Sequence, residues 1–249
     1  MTGPRDRGTD QPDKTGVMCR TGQAAGASRI GRTSVPVPAE VTELITEQFG
    51  HRLPLIQEYV DSLANEGIEW GLIGPRETER LWERHIVNSL CVSPLIRKGL
   101  FVADCGSGAG LPGIVLAIAR PDLYIDLVEP MGRRCDFLKL VVSRLDLSST
   151  VNVIRSRVED YQPIPDIVTC RALAAMPALI EMTSHLVPPA ALLAIKGARA
   201  HKELEDAHDL LASRRLQADV VVSSVRTLDG QHTSLGTVVK VIAPDAGDE

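Results

Sequence analysis

The chain has 249 residues, of which 44% are hydrophobic and 24% are charged, and its formal net charge is −5. These values are ordinary for a globular protein, and the negative charge argues against nucleic-acid binding over the whole surface. Aromatic residues make up only 3% of the chain, which argues against a surface on which single-stranded bases stack.

The cysteines and the apolar runs bear on location and on metal binding. The five cysteines occur singly, without a C-x-x-C pair, and the six histidines form no cluster. We therefore expect reduced thiols and a cytoplasmic protein, with neither a disulfide framework nor a metal site. No apolar run approaches the length of a membrane span, so no membrane partner is expected.

The chain divides into three parts. Residues 1–39 are rich in glycine and proline and lack apolar periodicity, which predicts a disordered tail. Residues 40–98 carry apolar side chains at helical spacing, which predicts an N-terminal helical region. In residues 99–249 strands alternate with helices, which predicts an α/β domain with a Rossmann-like, seven-stranded sheet. Its last two strands, 218–225 and 237–242, have no helix between them and should pair as an antiparallel hairpin.

A glycine-rich turn follows the first strand of this domain. Phe101–Ala103 form an apolar strand, Asp104 ends it, and glycines occupy every second position from Gly106 through Gly108 to Gly110. Glycines permit a tight turn and let a ligand approach bare backbone, while the start of the next helix offers unpaired N–H groups. The pattern predicts a nucleotide-cofactor site.

Three residues indicate which cofactor binds. Leu111 stands where the dinucleotide fingerprint G-x-G-x-x-G has its last glycine. Glu129 ends the second strand, where a carboxylate can accept ribose hydroxyls. Asp104, beside the turn, would repel a pyrophosphate and favours a cation such as the amino group and sulfonium of S-adenosylmethionine. The alternative, a nicotinamide-dependent oxidoreductase, is weakened by the missing glycine and by the lack of an obvious proton-relay Tyr-Lys pair or His.

The charges at the strand ends divide between the two halves of the sheet. Asp104 and Glu129 end the first two strands, whereas Arg171 and Lys196 end the fourth and fifth. Ligands of such sheets bind at the carboxyl ends of the strands. We therefore expect the acids to hold a cationic cofactor and the bases to hold an anionic substrate.

Together these residues resemble one family, the guanine-N7 methyltransferases of small-subunit (16S) ribosomal RNA, also called glucose-inhibited division protein B. The segments that carry the resemblance occur in the family's order over roughly residues 40 to 242, and jointly they are specific. They are Arg84–Leu90, Asp104–Gly113, Gly132–Arg134, Ser156–Glu159, Cys170–Ala172 and Lys196–Gly197. Three positions depart from the family pattern: Asn88, Cys105 and the pair Gln231-His232.

The resemblance implies a fold, a reaction and a set of site residues. The fold is the S-adenosylmethionine-dependent methyltransferase sheet, and the reaction transfers a methyl group to guanine N7. Gly106 and Leu111 would line the cofactor site, and Glu129 would bind the ribose. The pattern of the glycine turn adds Asp104 and Gly108 to the expected cofactor-binding residues.

The remaining roles follow from the same resemblance. Val158 and Glu159 would hold the adenine, and Arg171 would reach both the cofactor and the target base.

Guanine N7 carries an in-plane lone pair, so the reaction needs positioning and electrostatics rather than a general base. We assign Arg171 and Lys196 as the catalytic residues that bind guanine O6 or a nearby phosphate. Arg133 and Arg134 are expected to bind the RNA backbone. His85 is expected to contact RNA or to belong, with Ser89, to an active-site lid.

The expected partner is small-subunit ribosomal RNA or a 30S particle, bound by a monomer. A non-catalytic ribosome-assembly factor is the other alternative, and a methyl-transfer assay on isolated small subunits would separate the two.

Overall fold

The computed structural model describes residues 32–227, 230 and 232–244. Within that part of the chain a seven-stranded sheet runs in the order β3-β2-β1-β4-β5-β7-β6. The strands are β1 (Phe101–Cys105), β2 (Tyr124–Val128), β3 (Val151–Ile154), β4 (Ile167–Arg171), β5 (Ala191–Lys196), β6 (Gln217–Arg226) and β7 (His232–Ile242). All neighbouring pairs from β3 to β5 are parallel, and β7 is antiparallel to both β5 and β6. This order confirms the predicted Rossmann-like sheet and its terminal hairpin.

Helices cover both faces of the sheet. They are α1 (Ala39–Phe49), α2 (Leu53–Ser62), α3 (Gly113–Ala119), α4 (Gly132–Arg144), α5 (Met176–Met182), α6 (Ala200–Asp206) and α7 (His208–Ser213). Residues of β1 alternate between the two faces, as a strand requires. Val102 packs into the apolar core formed with α1 to α4, and Ala103 and Cys105 pack into the core formed with α5 to α7. The N-terminal helices thus lie on the same face as α3 and α4.

The apolar spacing over residues 76–90 predicts a single helix before β1, and the structure differs from that prediction. A 3₁₀ turn (Pro75–Arg80) leads into a π-helical segment (Leu81–Val87), and a second 3₁₀ turn (Leu90–Leu95) follows. The buried pairs Leu81-Trp82 and Ile86-Val87 are five residues apart, which matches the i→i+5 repeat of a π-helix rather than the repeat of an α-helix. The apolar residues are buried as predicted, but on a wider helix.

The sequence also predicts one helix over residues 199–214, and the structure divides it. It consists of α6 and α7, with Ala207 between them and fully buried. The apolar pattern runs through both helices, so the sequence alone does not reveal the break.

The described residues begin inside the predicted tail. Residues 1–31 and Gln231 lie outside the described part of the chain, whereas residues 32–38 contact α2 and the segment after it. Arg32 forms ion pairs with Glu58 at 3.0 Å and with Glu66 at 2.8 Å. The carbonyl of Val35 accepts a hydrogen bond from the Trp82 indole at 3.0 Å. These seven residues therefore belong structurally to the helical region.

Candidate active site

The glycine turn after β1 has the backbone conformation that its sequence indicates. Gly106 and Gly110 have φ values of +74° and +98°, a region that side chains other than glycine rarely adopt. A Cβ at Gly110 would lie 2.5 Å from Ile114 Cγ1 and 3.1 Å from Tyr59 Oη. The Tyr59 hydroxyl donates to the carbonyl of Ala109 at 2.9 Å. A buried tyrosine of α2 therefore supports the turn.

Asp104, at the end of β1, is fully buried. Its Oδ2 accepts the N–H of Gly113, the first residue of α3, at 2.9 Å. Its Oδ1 is buried without a hydrogen-bond partner among the described residues. Burial raises the pKa of Asp104 to about 7, and the charge of Glu129 adds to the shift. A buried carboxylate oxygen without a donor fits a cationic ligand group, such as an amino group, beside the turn.

Glu129 follows β2 and is 1% exposed. Its Oε2 accepts the N–H of Gly108 at 3.0 Å, and its Oε1 accepts the N–H of Met131 at 3.0 Å. Arg134 Nη1 lies 3.6 Å from Oε2. The carboxylate therefore holds the glycine turn to the end of β2, and each oxygen can still accept one more hydrogen bond.

Two cavities open at the carboxyl ends of the central strands. The first, of about 230 Å³, lies over the glycine turn and is lined by Leu72, Ile73, His85, Gly106, Ser107, Gly108, Ala109, Leu111, Arg134, Arg171 and Ala172. The second, of about 430 Å³, lies between the ends of β4 and β5 and is lined by Asn88, Arg171, Ala172, Leu173, Ala174, Ala175, Ile195, Lys196, Gly197, Arg199 and Glu203. Arg171 and Ala172 line both. The end of β4 is thus the wall that the two cavities share.

Within the described part of the chain, the hydrogen-bond partners of the Arg171 guanidinium are His85 and Ser89. Its Nη2 donates to His85 Nδ1 at 2.7 Å, and its Nη1 lies 3.3 Å from the His85 carbonyl and 3.5 Å from Ser89 Oγ. Among the described residues, no carboxylate oxygen lies within ion-pair distance of the guanidinium. Burial lowers the pKa of Arg171 from its ordinary value. A half-buried cation without a direct ion pair among the described residues fits an electron-rich or anionic ligand at this wall.

The comparisons with known proteins agree with this geometry. The sequence model of the GidB family, described as rRNA small subunit methyltransferase G, matches residues 52–232. A ribosomal RNA small subunit methyltransferase G from Acidothermus cellulolyticus is 48% identical over 78% of this chain and 87% of that protein. The protein of the same name from Thermobifida fusca is 48% identical over 80% of this chain and 84% of its own length. The chain belongs to this family.

Solved structures show the same fold at much lower identity. An S-adenosyl-L-methionine-dependent methyltransferase structure from Methanococcus maripaludis superposes with a TM-score of 0.51 at 12% identity, over 77% of this chain and 95% of that one. The tRNA methyltransferase TrmK from B. subtilis superposes with a TM-score of 0.50 at 16% identity, over 64% and 66% of the two chains. The predicted family and fold class are therefore confirmed.

The structure places the predicted cofactor residues unevenly. Gly106, Gly108 and Leu111 line the smaller cavity, and Asp104 and Glu129 contact the turn beneath it. Val158 and Glu159 lie apart, on a 3₁₀ turn (Val158–Asp160) after β3, with Val158 buried and Glu159 exposed. Neither of these two residues is among those that line the two cavities.

Two predicted substrate residues are already bound within the protein. Lys196 Nζ donates to the Ala174 carbonyl at 2.6 Å and to Glu203 Oε2 at 2.8 Å, and its side chain is only 9% exposed. Lys196 therefore ties the loop after β4 to α6, although it also lines the larger cavity. His85 uses both ring nitrogens within the protein, because its Nε2 lies 3.0 Å from Glu77 Oε2. It does not present a free ring nitrogen to RNA.

The two predicted backbone-binding arginines lie at the start of α4. Arg134 lines the smaller cavity and is 42% exposed, and Arg133 donates to the Glu69 carbonyl at 3.3 Å. Arg155, at the end of β3, lies beside Gly132: a Cβ added at Gly132 would be 3.2 Å from Arg155 Cζ. Sequence reasoning missed Tyr59, Glu77 and Glu203, whose partners lie on other elements. Their residue types alone signal only helix packing.

Within residues 32–227, 230 and 232–244, no helix is both long and apolar enough to cross a bilayer. Nor do any three His, Cys, Asp or Glu side chains there come together as metal ligands.

Proposed function

We propose that this protein transfers the methyl group of S-adenosylmethionine to N7 of a guanine in small-subunit (16S) ribosomal RNA. The observation that carries the proposal is the wall formed by Arg171 and Ala172, which separates a cavity over the glycine turn from a larger one between β4 and β5. Methyl transfer requires a cofactor and a base that meet across such a boundary. Family membership supports the reaction and the class of RNA.

The smaller cavity would hold the cofactor. Asp104 Oδ1, buried and without a donor, would accept the amino group. Glu129 would accept the ribose hydroxyls while keeping its bonds to the turn, and Gly106 and Leu111 would contact the cofactor from below. We also propose that Val158 and Glu159 hold the adenine, although their turn lies beyond the cavity wall. When bound, S-adenosylmethionine supplies an electrophilic methyl group on a cationic sulfur.

The larger cavity would hold the target guanine. Its volume of about 430 Å³ lies within the usual range for small-molecule sites. Arg171 can donate to guanine O6 across the shared wall and leave N7 free to attack. Because N7 already carries a lone pair, no side chain has to remove a proton. Positioning and a preorganised charge would therefore supply the rate.

We propose that the larger substrate contacts come from the basic residues around the start of α4. The guanidinium groups of Arg133, Arg134 and Arg155 suit the phosphates of a folded RNA loop. The target base must leave its stack to enter the cavity, which favours a loop over a duplex. We further propose that the enzyme acts as a monomer in the cytoplasm, on ribosomal RNA or on the 30S particle.

The test is methyl transfer to small ribosomal subunits prepared from cells that lack this protein. Subunits are incubated with the purified protein and labelled S-adenosylmethionine, and methylated guanines are located by mass mapping. We expect one N7-methylated guanine in the small-subunit RNA. Binding to subunits without any transfer would support the assembly-factor alternative and contradict the proposal. Naked RNA and intact subunits are assayed in parallel to identify the substrate form.

A further inference from the structure

Arg171, Glu77 and His85 form a continuous hydrogen-bonded chain beside the two cavities. Arg171 Nη2 lies 2.7 Å from His85 Nδ1, and His85 Nε2 lies 3.0 Å from Glu77 Oε2. The His85 carbonyl also receives Arg171 Nη1 at 3.3 Å. One residue therefore binds both ends of the guanidinium fork.

This geometry fixes the protonation state of His85. A guanidinium nitrogen can only donate, so Nδ1 must be the bare, accepting nitrogen of the ring. Nε2 then carries the proton and donates to the Glu77 carboxylate. The imidazole is therefore neutral, in a single tautomer, whenever Arg171 is in place. Protonation of Nδ1 would place the N–H groups of His85 Nδ1 and Arg171 Nη2 opposite each other at 2.7 Å. The two donors would repel, and the guanidinium would lose this contact.

The π-helical segment Leu81–Val87 explains how His85 reaches Arg171. Its wider turn directs the side chain and the carbonyl of His85 toward the end of β4, and Ser89 Oγ donates to the same carbonyl at 2.6 Å. π-Helical turns occur frequently at functional sites. His85 lines the smaller cavity together with Arg171, so this contact lies at the cofactor side of the shared wall.

We propose that His85, oriented by Glu77, is the positioning residue that holds the Arg171 guanidinium at the wall between the two cavities. This inference rests on the proposed function. It adds two residues to that function, His85 and Glu77, which act on the reaction by positioning Arg171. Neutral His85 holds the Arg171 guanidinium in place, whereas protonated His85 releases the guanidinium. Methyl transfer should therefore decline at acidic pH for a reason separate from cofactor binding.

Charged groups around His85 and Arg171 determine the pH at which methyl transfer declines. Glu77 stabilises the protonated ring, whereas Arg171 and Arg84 disfavour it. Burial is the largest influence and also lowers the pKa of His85 from its ordinary value. Asp104, whose charge acts on Arg171, also titrates, and saturation with cofactor removes its contribution to the measured rate.

The experiment is single-turnover methyl transfer to small subunits at saturating cofactor, measured between about pH 5 and pH 8 with the full-length protein. Wild type should lose rate about tenfold per pH unit below the pKa of His85. His85→Asn offers Oδ1 in place of Nδ1, so it should stay within about tenfold of wild type at pH 8 and lose this acid limb. His85→Leu offers no acceptor and should be slower by about 10²-fold.

Glu77→Gln distinguishes positioning from mere packing. The glutamine Oε1 still accepts from Nε2 but carries no charge, so the acid limb should move to lower pH by roughly 0.5–1 unit. Glu79→Gln is the matched control, because Glu79 is exposed on the same turn. Its profile should coincide with that of wild type. Identical acid limbs in wild type, His85→Asn and Glu77→Gln would overturn the inference, as would a folded His85→Leu protein with a normal rate.

A measurement without turnover covers variants that fail to fold. Long-range proton–nitrogen correlation spectra of the wild-type histidines should show His85 with a bare Nδ1 and a protonated Nε2 at neutral pH. The opposite tautomer would contradict the inference. A wild-type protein that transfers no methyl group but shows the expected tautomer would instead count against the proposed function.

Discussion

Glu129 accepts the backbone N–H of Gly108 at 3.0 Å across 21 positions of sequence. Glu129, the residue proposed to bind the ribose, therefore also holds the glycine turn in place. Its second oxygen accepts the N–H of Met131, and the side chain is 1% exposed. Position at a strand end suggests a residue whose loss would leave stability unchanged. Two backbone N–H groups, those of Gly108 and Met131, depend on it for a hydrogen bond, which argues for the opposite.

Glu129→Ala should weaken both cofactor binding and the fold. Loss of a charge-assisted contact to the ribose should cost about 1.5–3 kcal/mol of binding free energy, and two unpaired N–H groups should cost about 1–3 kcal/mol of unfolding free energy. Titration calorimetry and urea unfolding measure the two quantities. Glu159→Ala is the control for stability, because Glu159 is exposed. Unchanged affinity in Glu129→Ala would remove Glu129 from the site.

Asp104 should make cofactor affinity depend on pH. Its pKa in the folded protein is about 7, and the cationic cofactor binds the ionised form. Affinity should therefore rise as the pH increases through about 7 and level off above it. Asp104→Asn keeps an acceptor for the Gly113 N–H but has no charge. Its affinity should be weaker at pH 8 and independent of pH. Calorimetry from pH 6 to 8, a window of about one unit on each side of that pKa, measures the difference.

The same carboxyl group should have the opposite effect on stability without cofactor. Because burial raises the folded-state pKa above the unfolded value, the folded state binds more protons between about pH 4 and pH 7, and stability falls as the pH rises through that window. Relative to wild type, Asp104→Asn should gain unfolding free energy over that range, by up to a few kcal/mol. A constant difference between the two proteins from pH 4 to pH 7 would show that Asp104 is ionised throughout.

The central strands could be predicted from the sequence because burial on both faces makes them apolar runs. The apolar runs over residues 124–128 and 151–154 predict two strands, and β2 (Tyr124–Val128) and β3 (Val151–Ile154) begin and end there. Parallel strands of this kind are bounded by polar turn residues, which also indicate where ligands bind. The acidic half of the site follows directly from those ends.

The basic half could not be predicted in the same way. Whether a charged side chain at a strand end is available to a ligand depends on its partners within the protein. The sequence around the strand end does not identify those partners. Lys196 is held by Glu203 of α6, whereas Arg171 is held by His85, which lies 86 positions away. His85 in turn contacts Arg171 from a π-helical segment. The buried residues of that segment recur every five positions, a spacing that in sequence resembles an irregular α-helix. The sequence thus indicates the charges at the site but not their partners.

The residues just before α1 should matter for stability. Deletion of residues 1–31 keeps the ion pairs of Arg32 and the bond from Trp82 to Val35. Deletion of residues 1–38 removes them and should lower the unfolding free energy by about 1–3 kcal/mol. Thermal unfolding of the two truncated proteins provides the comparison, with each serving as the control for the other. Equal melting temperatures would show that these contacts contribute no net stability.

Lys196 should contribute more to local structure than to transfer. Lys196→Met keeps the apolar stem but removes the bonds to Ala174 and Glu203. Glu203 would then be a partly buried carboxylate without its cation, so we expect a lower melting temperature. Glu203→Gln should reproduce that effect, since it leaves Lys196 without its counter-charge. Loss of transfer in Lys196→Met with no change in melting temperature would instead assign Lys196 to the substrate.

Arg171 should show the converse behaviour, with a large effect on transfer and a small one on stability. Its guanidinium is half-buried, and its hydrogen-bond partners among the described residues, His85 and Ser89, are neutral. Removal of the charge therefore relieves a desolvation cost, which offsets the lost hydrogen bonds. Arg171→Ala should therefore melt within a few degrees of wild type, yet transfer methyl groups about 10²-fold more slowly or worse. Arg171→Lys should recover only part of the rate, because an ammonium restores the charge without the planar fork that bonds His85 and O6 together. Single-turnover methylation with saturating cofactor and small subunits decides the matter. A near-normal rate in a folded Arg171→Ala protein would show that the wall between the cavities needs no charge, and the proposed role of Arg171 would be wrong.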